Sequence, residues 1–172
     1  AIGFAKLGLE AAWFSRLGDD EFGHFVLNQI RSEGVDCAGV ILDPAHRTGV
    51  MFKQMTARET KVFYYRDRSA ASFLAPEDIL PELFDGVDAL HLSGITPVLS
   101  ASCREAALAA VRVAREKGVL VSFDPNVRRK LWGEAECAPL IRSMALDSDI
   151  VMLGRDEAEL LLGSGEPEAA FD

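Results

Sequence analysis

The feature that most limits the fold is an alternation of short aliphatic runs with helical repeats along the second half of the chain. Residues 89–92 read as a strand ending at Ser93-Gly94. Ser102-Cys103-Arg104-Glu105 has the pattern of a capping box, and Ala107, Ala110, Val111 and Ala114 follow at helical spacing. Gly118 closes that helix, and Val119-Leu120-Val121 opens a strand that runs to Phe123. Such a β-branched and aliphatic run is expected to be buried on both faces, as in parallel sheets. A helix over about 134–145, a buried strand over 150–153 and a helix over 156–162 ending at Gly163 complete the series. This spacing suits right-handed βαβ units, so the expected fold is α/β with a doubly wound, mostly parallel sheet.

The first half breaks the rhythm. Ile2, Ala5 and Leu9 have helical spacing without an N-cap or an initiating methionine, so the chain is expected to belong to something longer. Residues 11–17 read as a strand, Gly18-Asp19-Asp20 as a turn and helix cap, and Phe22, Phe25, Val26 and Ile30 as the inner face of a helix that stops at Gly34. Short strands follow over 40–42, 48–55 and 61–66. The polar Thr56-Ala57-Arg58-Glu59-Thr60 joins the last two into a hairpin, a small antiparallel outgrowth on the β/α core.

With 172 residues, 49% hydrophobic and 26% charged, the chain can bury a core and is expected to form one domain. Its net charge of −9 argues against sequence-independent nucleic-acid binding, so any anionic ligand must be held by local Arg and Lys. No apolar run reaches the roughly 18 residues of a membrane span, and no signal-peptide pattern opens the chain. Cys37, Cys103 and Cys137 are odd in number and widely spaced, which disfavours a disulfide framework or a zinc site and suits a reducing cytoplasm.

The strand that ends at Phe123 runs into Asp124-Pro125-Asn126-Val127-Arg128-Arg129-Lys130. Ligands of open α/β sheets bind beyond the carboxyl ends of strands, but an Asx-Pro turn with solvated cations fits this spacing equally well. In the hairpin, alternation puts Val62, Tyr64 and Arg66 on one face and Phe63, Tyr65 and Asp67 on the other. A phenol and a guanidinium on one face suit a polar ligand, and aromatic cross-strand packing beside a solvated Arg is the alternative. Gly18-Asp19-Asp20-Glu21-Phe22-Gly23 is neither a Walker loop nor G-x-G-x-x-G, and is read as a turn plus an N-cap. His91 is expected in the core, and His24 and His46 to be isolated. Glu157, in the first turn of a helix, is explained by the helix dipole. No spacing suggests a metal site.

Taken together, these motifs resemble the PfkB or ribokinase-type carbohydrate kinases, and among them the 2-keto-3-deoxygluconate kinases. Residues 1–23 look like the family's first motif, entered after its leading Gly-Gly and Asn. Arg47-Thr48-Gly49, Phe63-Tyr64-Tyr65-Arg66 with Ser69-Ala70-Ala71-Ser72, Leu90-His91-Leu92-Ser93-Gly94-Ile95-Thr96-Pro97 and Asp124-Pro125-Asn126-Val127-Arg128 then follow in the family's order. The resemblance spans nearly the whole chain.

The resemblance implies a single, truncated carbohydrate-kinase domain over 1–172 with a ribokinase-like fold, its β-lid within about 35–72. It implies transfer of the γ-phosphoryl of ATP, with Mg2+, to a sugar-acid hydroxyl, most directly that of 2-keto-3-deoxygluconate, by a longer cytoplasmic parent. Tyr64, Arg66, Ile95 and Arg128 would line the sugar site, with both arginines facing the acid group; Asn126, Gly154 and Glu157 would lie on the nucleotide and phosphate side. Homo-oligomers through the lid or an exposed sheet edge are implied, with neither nucleic acid nor membrane as partner. Met51 stands where these kinases often carry a substrate-binding Tyr, and Gly154 where Asn or Ser is usual. The family's Gly-Ala-Gly-Asp motif, with the catalytic base, belongs to a C-terminal part absent from this sequence, so no catalytic residue is expected here and the chain alone should be inactive. A non-catalytic sugar-acid-binding or interaction module is the alternative. A dinucleotide-dependent oxidoreductase is disfavoured by the missing glycine fingerprint.

Overall fold

The structure, a computed structural model, describes residues 1–56, 59–127 and 134–165. They fall into two units, Ala1–Leu74 and Ala75–Asp172. In the first unit, helix α1 (Ile2–Lys6) lays Ile2 and Ala5 against a core of Leu17, Leu27, Val35 and Cys37. Strand β1 covers only Ser15–Gly18, shorter than the expected 11–17. Ahead of it, Ala12 makes a single parallel bridge to Asp36, because the partner chain then turns through Cys37 O to Val40 N–H before β2 (Val40–Asp43) resumes the pairing. β1 and β2 run parallel from Ser15↔Val40 to Gly18↔Asp43.

Helix α2 (Glu21–Ser32) turns Gly23 and Leu27 inward, with Val26 and Ile30 packed on the core, and leaves Phe22 and Phe25 59% and 66% exposed. The expected inner face was therefore rotated. A Cβ at position 23 would lie 1.9 Å from Gly18 O, so only the glycine face can press against β1, and that rotation points both phenylalanines outward.

Strands β3 (Val50–Met55) and β4 (Thr60–Tyr65) form the expected antiparallel hairpin, in register from Val50↔Tyr65 to Met55↔Thr60. β3 begins two residues later than expected because Thr48 is bonded to Asp20 and Gly18 rather than to a strand partner. A 3₁₀ turn, Ala70–Phe73, follows the hairpin.

The second unit holds a parallel sheet with β6 (Leu120–Asp124) between β5 (Ala89–Ser93) and β7 (Ile150–Val151). Helix α3 (Thr96–Leu99) precedes α4 (Ala101–Glu116). The cap of α4 is Ser100, two residues before the expected capping box: Ser100 is extended, and its Oγ accepts the Cys103 N–H at 3.0 Å. Ala106, Ala107, Ala110 and Ala114 are almost fully buried, and their small side chains let α4 approach the sheet closely. Phe123, Val121 and Ile141 of α5 (Glu134–Leu146) are completely buried. Helix α6 (Arg155–Leu162) ends at Gly163 in the left-handed conformation, at φ 79°.

Among the described residues the opposite sheet face is largely uncovered, Ser122 excepted, which corrects three expectations. β6 is buried on both faces only over 121–123; Leu120 is 51% exposed. β7 is two residues long and uncovered, with Ile150 49% exposed. His91 is exposed rather than in the core, its Nδ1 3.2 Å from Ser122 Oγ. Parallel pairing places Ala89, His91, Leu120, Ser122 and Ile150 on this one face, away from Leu90, Leu92, Val121 and Phe123.

With Leu146 and Met152 also largely exposed, the second unit presents apolar surface beside a short strand. Such surfaces associate. The 172-residue chain in isolation is expected to elute as a dimer or larger species in size-exclusion chromatography with light scattering. A monodisperse monomer with a sharp cooperative melt would contradict this.

Candidate functional site

The hairpin carries the first group of candidate residues. Arg66 stacks on Tyr64, with Cζ 4.4 Å from the ring centroid, as their shared face requires. The contact is a cation–π interaction that holds the guanidinium plane, a geometry whose N–H edge can meet a ligand. Met51 is the cross-strand partner of Tyr64 and shares this face. On the other face, Phe52 and Tyr65 meet edge to face, with centroids 5.7 Å apart. The two readings of the hairpin thus describe its two faces: aromatic packing on one, a cation and a phenol on the other.

The legs of the hairpin are tied to the β1–α2 turn. Asp20 caps α2, its Oδ1 accepting the Gly23 N–H at 2.8 Å, while its Oδ2 accepts the Thr48 N–H at 2.7 Å. Thr48 Oγ1 in turn accepts the Gly18 N–H at 2.9 Å. A Cβ on Gly18 would come within 2.5 Å of Thr48 N, so this junction closes only around glycine. The Thr48 N–H holds the Asp20 carboxyl below the usual carboxylate value against the effect of burial, with the Gly23 N–H and the Thr48 hydroxyl helping.

Asp43, buried at the end of β2, forms a second knot. Its Oδ2 lies 3.1 Å from Arg16 Nη1 and 3.0 Å from His46 Nδ1, and its Oδ1 accepts the N–H groups of Ala45 and His46. His46 also stacks on Phe73 at 3.6 Å, and His24 contacts Asp19 at 2.9 Å, so neither histidine is isolated. Burial pushes the Asp43 carboxyl up, but the His46 and Ala45 hydrogen bonds and the nearby His46 and Arg16 charges outweigh it and hold it low. A carboxylate lowered in the folded state adds stability above its unfolded value, about 3.9, and loses it as pH falls below that through the folded value. Denaturant midpoints should therefore fall more steeply below about pH 4 in the wild type than in Asp43→Asn. Parallel pH curves for the two proteins would remove Asp43 from this account.

The second group lies in the other unit, at the carboxyl ends of β5, β6 and β7. Asp124 Oδ1 accepts the Asn126 N–H at 3.0 Å, the Asx turn that spacing allowed. Asn126 adopts φ 45°, a left-handed conformation that asparagine tolerates better than most residues, and its side chain donates to Ser93 Oγ at 3.2 Å. Ile95, directly after Gly94, is the N-cap residue of α3 and is half-buried. Gly154 is the N-cap of α6.

Glu157 does more than answer a helix dipole. Its Oε1 accepts the Val127 N–H at 2.7 Å and its Oε2 the Gly154 N–H at 3.0 Å, so one carboxylate joins the loops after β6 and β7. Val127, Gly154, Asp156, Glu157 and Leu160 border an open cavity of about 450 Å³. Arg128 lies outside the described residues.

Gly94 fixes the spacing of the β5 and β6 loops: its N–H donates to Asp124 O at 2.7 Å, and a Cβ would lie 2.1 Å from Pro125 O. Gly94→Ala must move backbone, and should lower stability by about 1–3 kcal/mol, read as a fall in the urea midpoint. An unchanged midpoint would mean that the loop yields freely.

The sequence reading brought together Tyr64 with Arg66, and Asn126 with Glu157 on one side of the chemistry. It missed Asp43, and it quoted Thr48 and Ser93 within motifs without their supporting roles. Only the Asp43/His46 spacing of three offered a local signal; the other links cross about thirty positions.

These elements, a parallel α/β sheet and an antiparallel hairpin, are those of a carbohydrate-kinase fold, and comparison with known proteins agrees. The family model described as pfkB family carbohydrate kinase matches residues 1–170. The chain is 36% identical over 175 residues to 2-dehydro-3-deoxygluconokinase of Bacillus subtilis (strain 168), covering 100% of this chain and 54% of that protein. To fructokinase-2 of Solanum lycopersicum it is 34% identical over 168 residues, covering 96% and 51%. The crystal structure of a PfkB protein from Polaromonas sp. JS666 is similar with a TM-score of 0.93 and 37% identity, over 98% of this chain and 57% of that one. The chain belongs to the pfkB family of carbohydrate kinases, and its fold is ribokinase-like. It spans about half the length of the curated relatives it matches.

Proposed function

We propose that the full-length protein transfers the γ-phosphoryl of ATP to a hydroxyl of a sugar acid, with 2-keto-3-deoxygluconate as the first candidate. The observation that carries this reading is the guanidinium of Arg66 stacked on Tyr64 on an open hairpin face. A cation so held suits a carboxylate, which takes two parallel N–H bonds, and the phenol suits a neighbouring hydroxyl. In this reading Tyr64, Arg66, Ile95 and Arg128 form the sugar side, and Asn126, Gly154 and Glu157 the nucleotide side.

Glu157 positions rather than reacts, because each of its oxygens already accepts a backbone N–H. Mg2+ would arrive with the nucleotide, held largely by phosphate oxygens and water. Among the described residues no cluster of three or more His, Cys, Asp or Glu fits a bare cation, so no step is assigned to the metal. The proposal includes a cytoplasmic setting, and a homo-oligomer covering the hairpin, the latter supported by the exposure of Met51, Phe52, Phe63 and Tyr65.

Both dehydrodeoxygluconokinase and fructokinase names occur among relatives of similar identity, and the two substrates differ in the carboxylate. Following ADP release by the full-length protein with each sugar separates them. Arg66→Gln should raise KM for 2-keto-3-deoxygluconate about 30- to 150-fold, the equivalent of ~2–3 kcal/mol for a charge-assisted hydrogen bond, and leave any turnover of fructose nearly unchanged. Equal losses on both sugars would overturn the sugar-acid reading. The absence of ADP release with any sugar would favour a binding module instead.

A further inference from the structure

Asp20 is an ordinary helix cap by position and an unusual one by what its second oxygen does. We infer that Asp20 is a positioning residue for the hairpin: one oxygen holds the first turn of α2 while the other holds the leg that leads into β3. The direction in which Tyr64 and Arg66 are presented is then set from the N-terminus of α2. The functional side of this inference rests on reading the hairpin as the sugar-acid side of a kinase.

The hairpin cannot orient itself. Every residue of β3 after Val50 is exposed, and in β4 only Val62 is partly covered. A two-stranded ribbon of this kind is marginal alone, so its angle is decided at its legs. The first leg is held at three atoms: Arg47 O accepts the Ala70 N–H at 2.9 Å, the Thr48 N–H donates to Asp20, and Thr48 Oγ1 accepts the Gly18 N–H. The second leg is pressed on the first, since a Cβ on Gly49 would stand 3.1 Å from Arg66 Cβ and 3.2 Å from Ser69. Moving Thr48 therefore moves the backbone on which Arg66 sits.

Capping alone does not explain Asp20. Ser or Asn caps a helix about as well, through one acceptor. Here the second oxygen binds an N–H 28 positions away, on a residue only 7% exposed, where an unanswered donor is costly. A carboxylate is the group that gives an acceptor to both donors at once.

The test uses the full-length protein with Asp20→Asn and Asp20→Ser. Both variants keep an acceptor for the Gly23 N–H. The Asn variant turns an amide donor toward the Thr48 N–H, and the shorter Ser does not reach it. Hydrogen–deuterium exchange should quicken about tenfold or more in peptides covering β3 and β4, with the α2 peptides unchanged, because only the leg is released. KM for the sugar acid should rise about tenfold or more, with KM for ATP unchanged and kcat altered less than the sugar KM. The Ser variant, free of the opposed donors, makes the same comparison if the Asn variant does not fold. Hairpin exchange equal to wild type, or an equal rise in hairpin and α2, would overturn the inference. Faster exchange confined to the hairpin, with KM unchanged for every sugar turned over, would uphold the strap and overturn instead the assignment of the hairpin to the sugar site.

Discussion

Backbone N–H groups left over where strands and helices stop are the demand on which both units are organised, and carboxylates answer it. Asp20 serves Gly23 and Thr48, Asp43 serves Ala45 and His46, and Glu157 serves Val127 and Gly154. Asp124 closes its own turn on Asn126, and Asp149 takes the Val121 N–H at the start of β6. A buried donor without a partner costs as much as a lost hydrogen bond, and a carboxylate satisfies two at once. Part of the acidic excess of this chain therefore serves as scaffolding for the backbone, from the buried Asp43 to the exposed Asp149.

Close backbone approach is the complement of that bonding. Gly18 with Gly23 in one unit, and Gly94 in the other, sit where a Cβ would collide with main-chain atoms. The loops at the carboxyl ends of the strands thus pack on each other with little slack. Rigid loops are what a binding site needs, because a side chain is placed only as well as the backbone beneath it. The same carboxylates that satisfy the loops also fix Asn126 and the hairpin legs, so support and site share atoms.

The hairpin follows a different logic. With a net charge of −9, the chain repels anions at a distance, so an anionic ligand has to be met by a cation held in place. The Arg66 guanidinium is held over the Tyr64 ring, which positions its charge on that face. In the proposed function, such a cation would favour an acidic sugar over a neutral one.

The α/β class, the antiparallel hairpin and the shared face of Tyr64 and Arg66 were legible in the residues, because periods of 2 and 3.6 and glycine stops are local properties. Ends of elements were less legible: β1, β3 and the cap of α4 were displaced by partners elsewhere in the chain. Half of the expected inward face of α2 held, in Val26 and Ile30, but Phe22 and Phe25 point outward, since the contact of Gly23 with Gly18 O turns the helix away from them. His91 and Ile150 are apolar-run residues by sequence, yet they lie on the sheet face that no helix covers among the described residues. The sequence by itself determined which segments become strands and helices and which side chains share a strand face. Only tertiary structure decided that Asp20 reaches the Thr48 N–H, Asp43 the Arg16 guanidinium and Glu157 the Val127 N–H, because those bonds join groups about thirty positions apart and no local pattern records them.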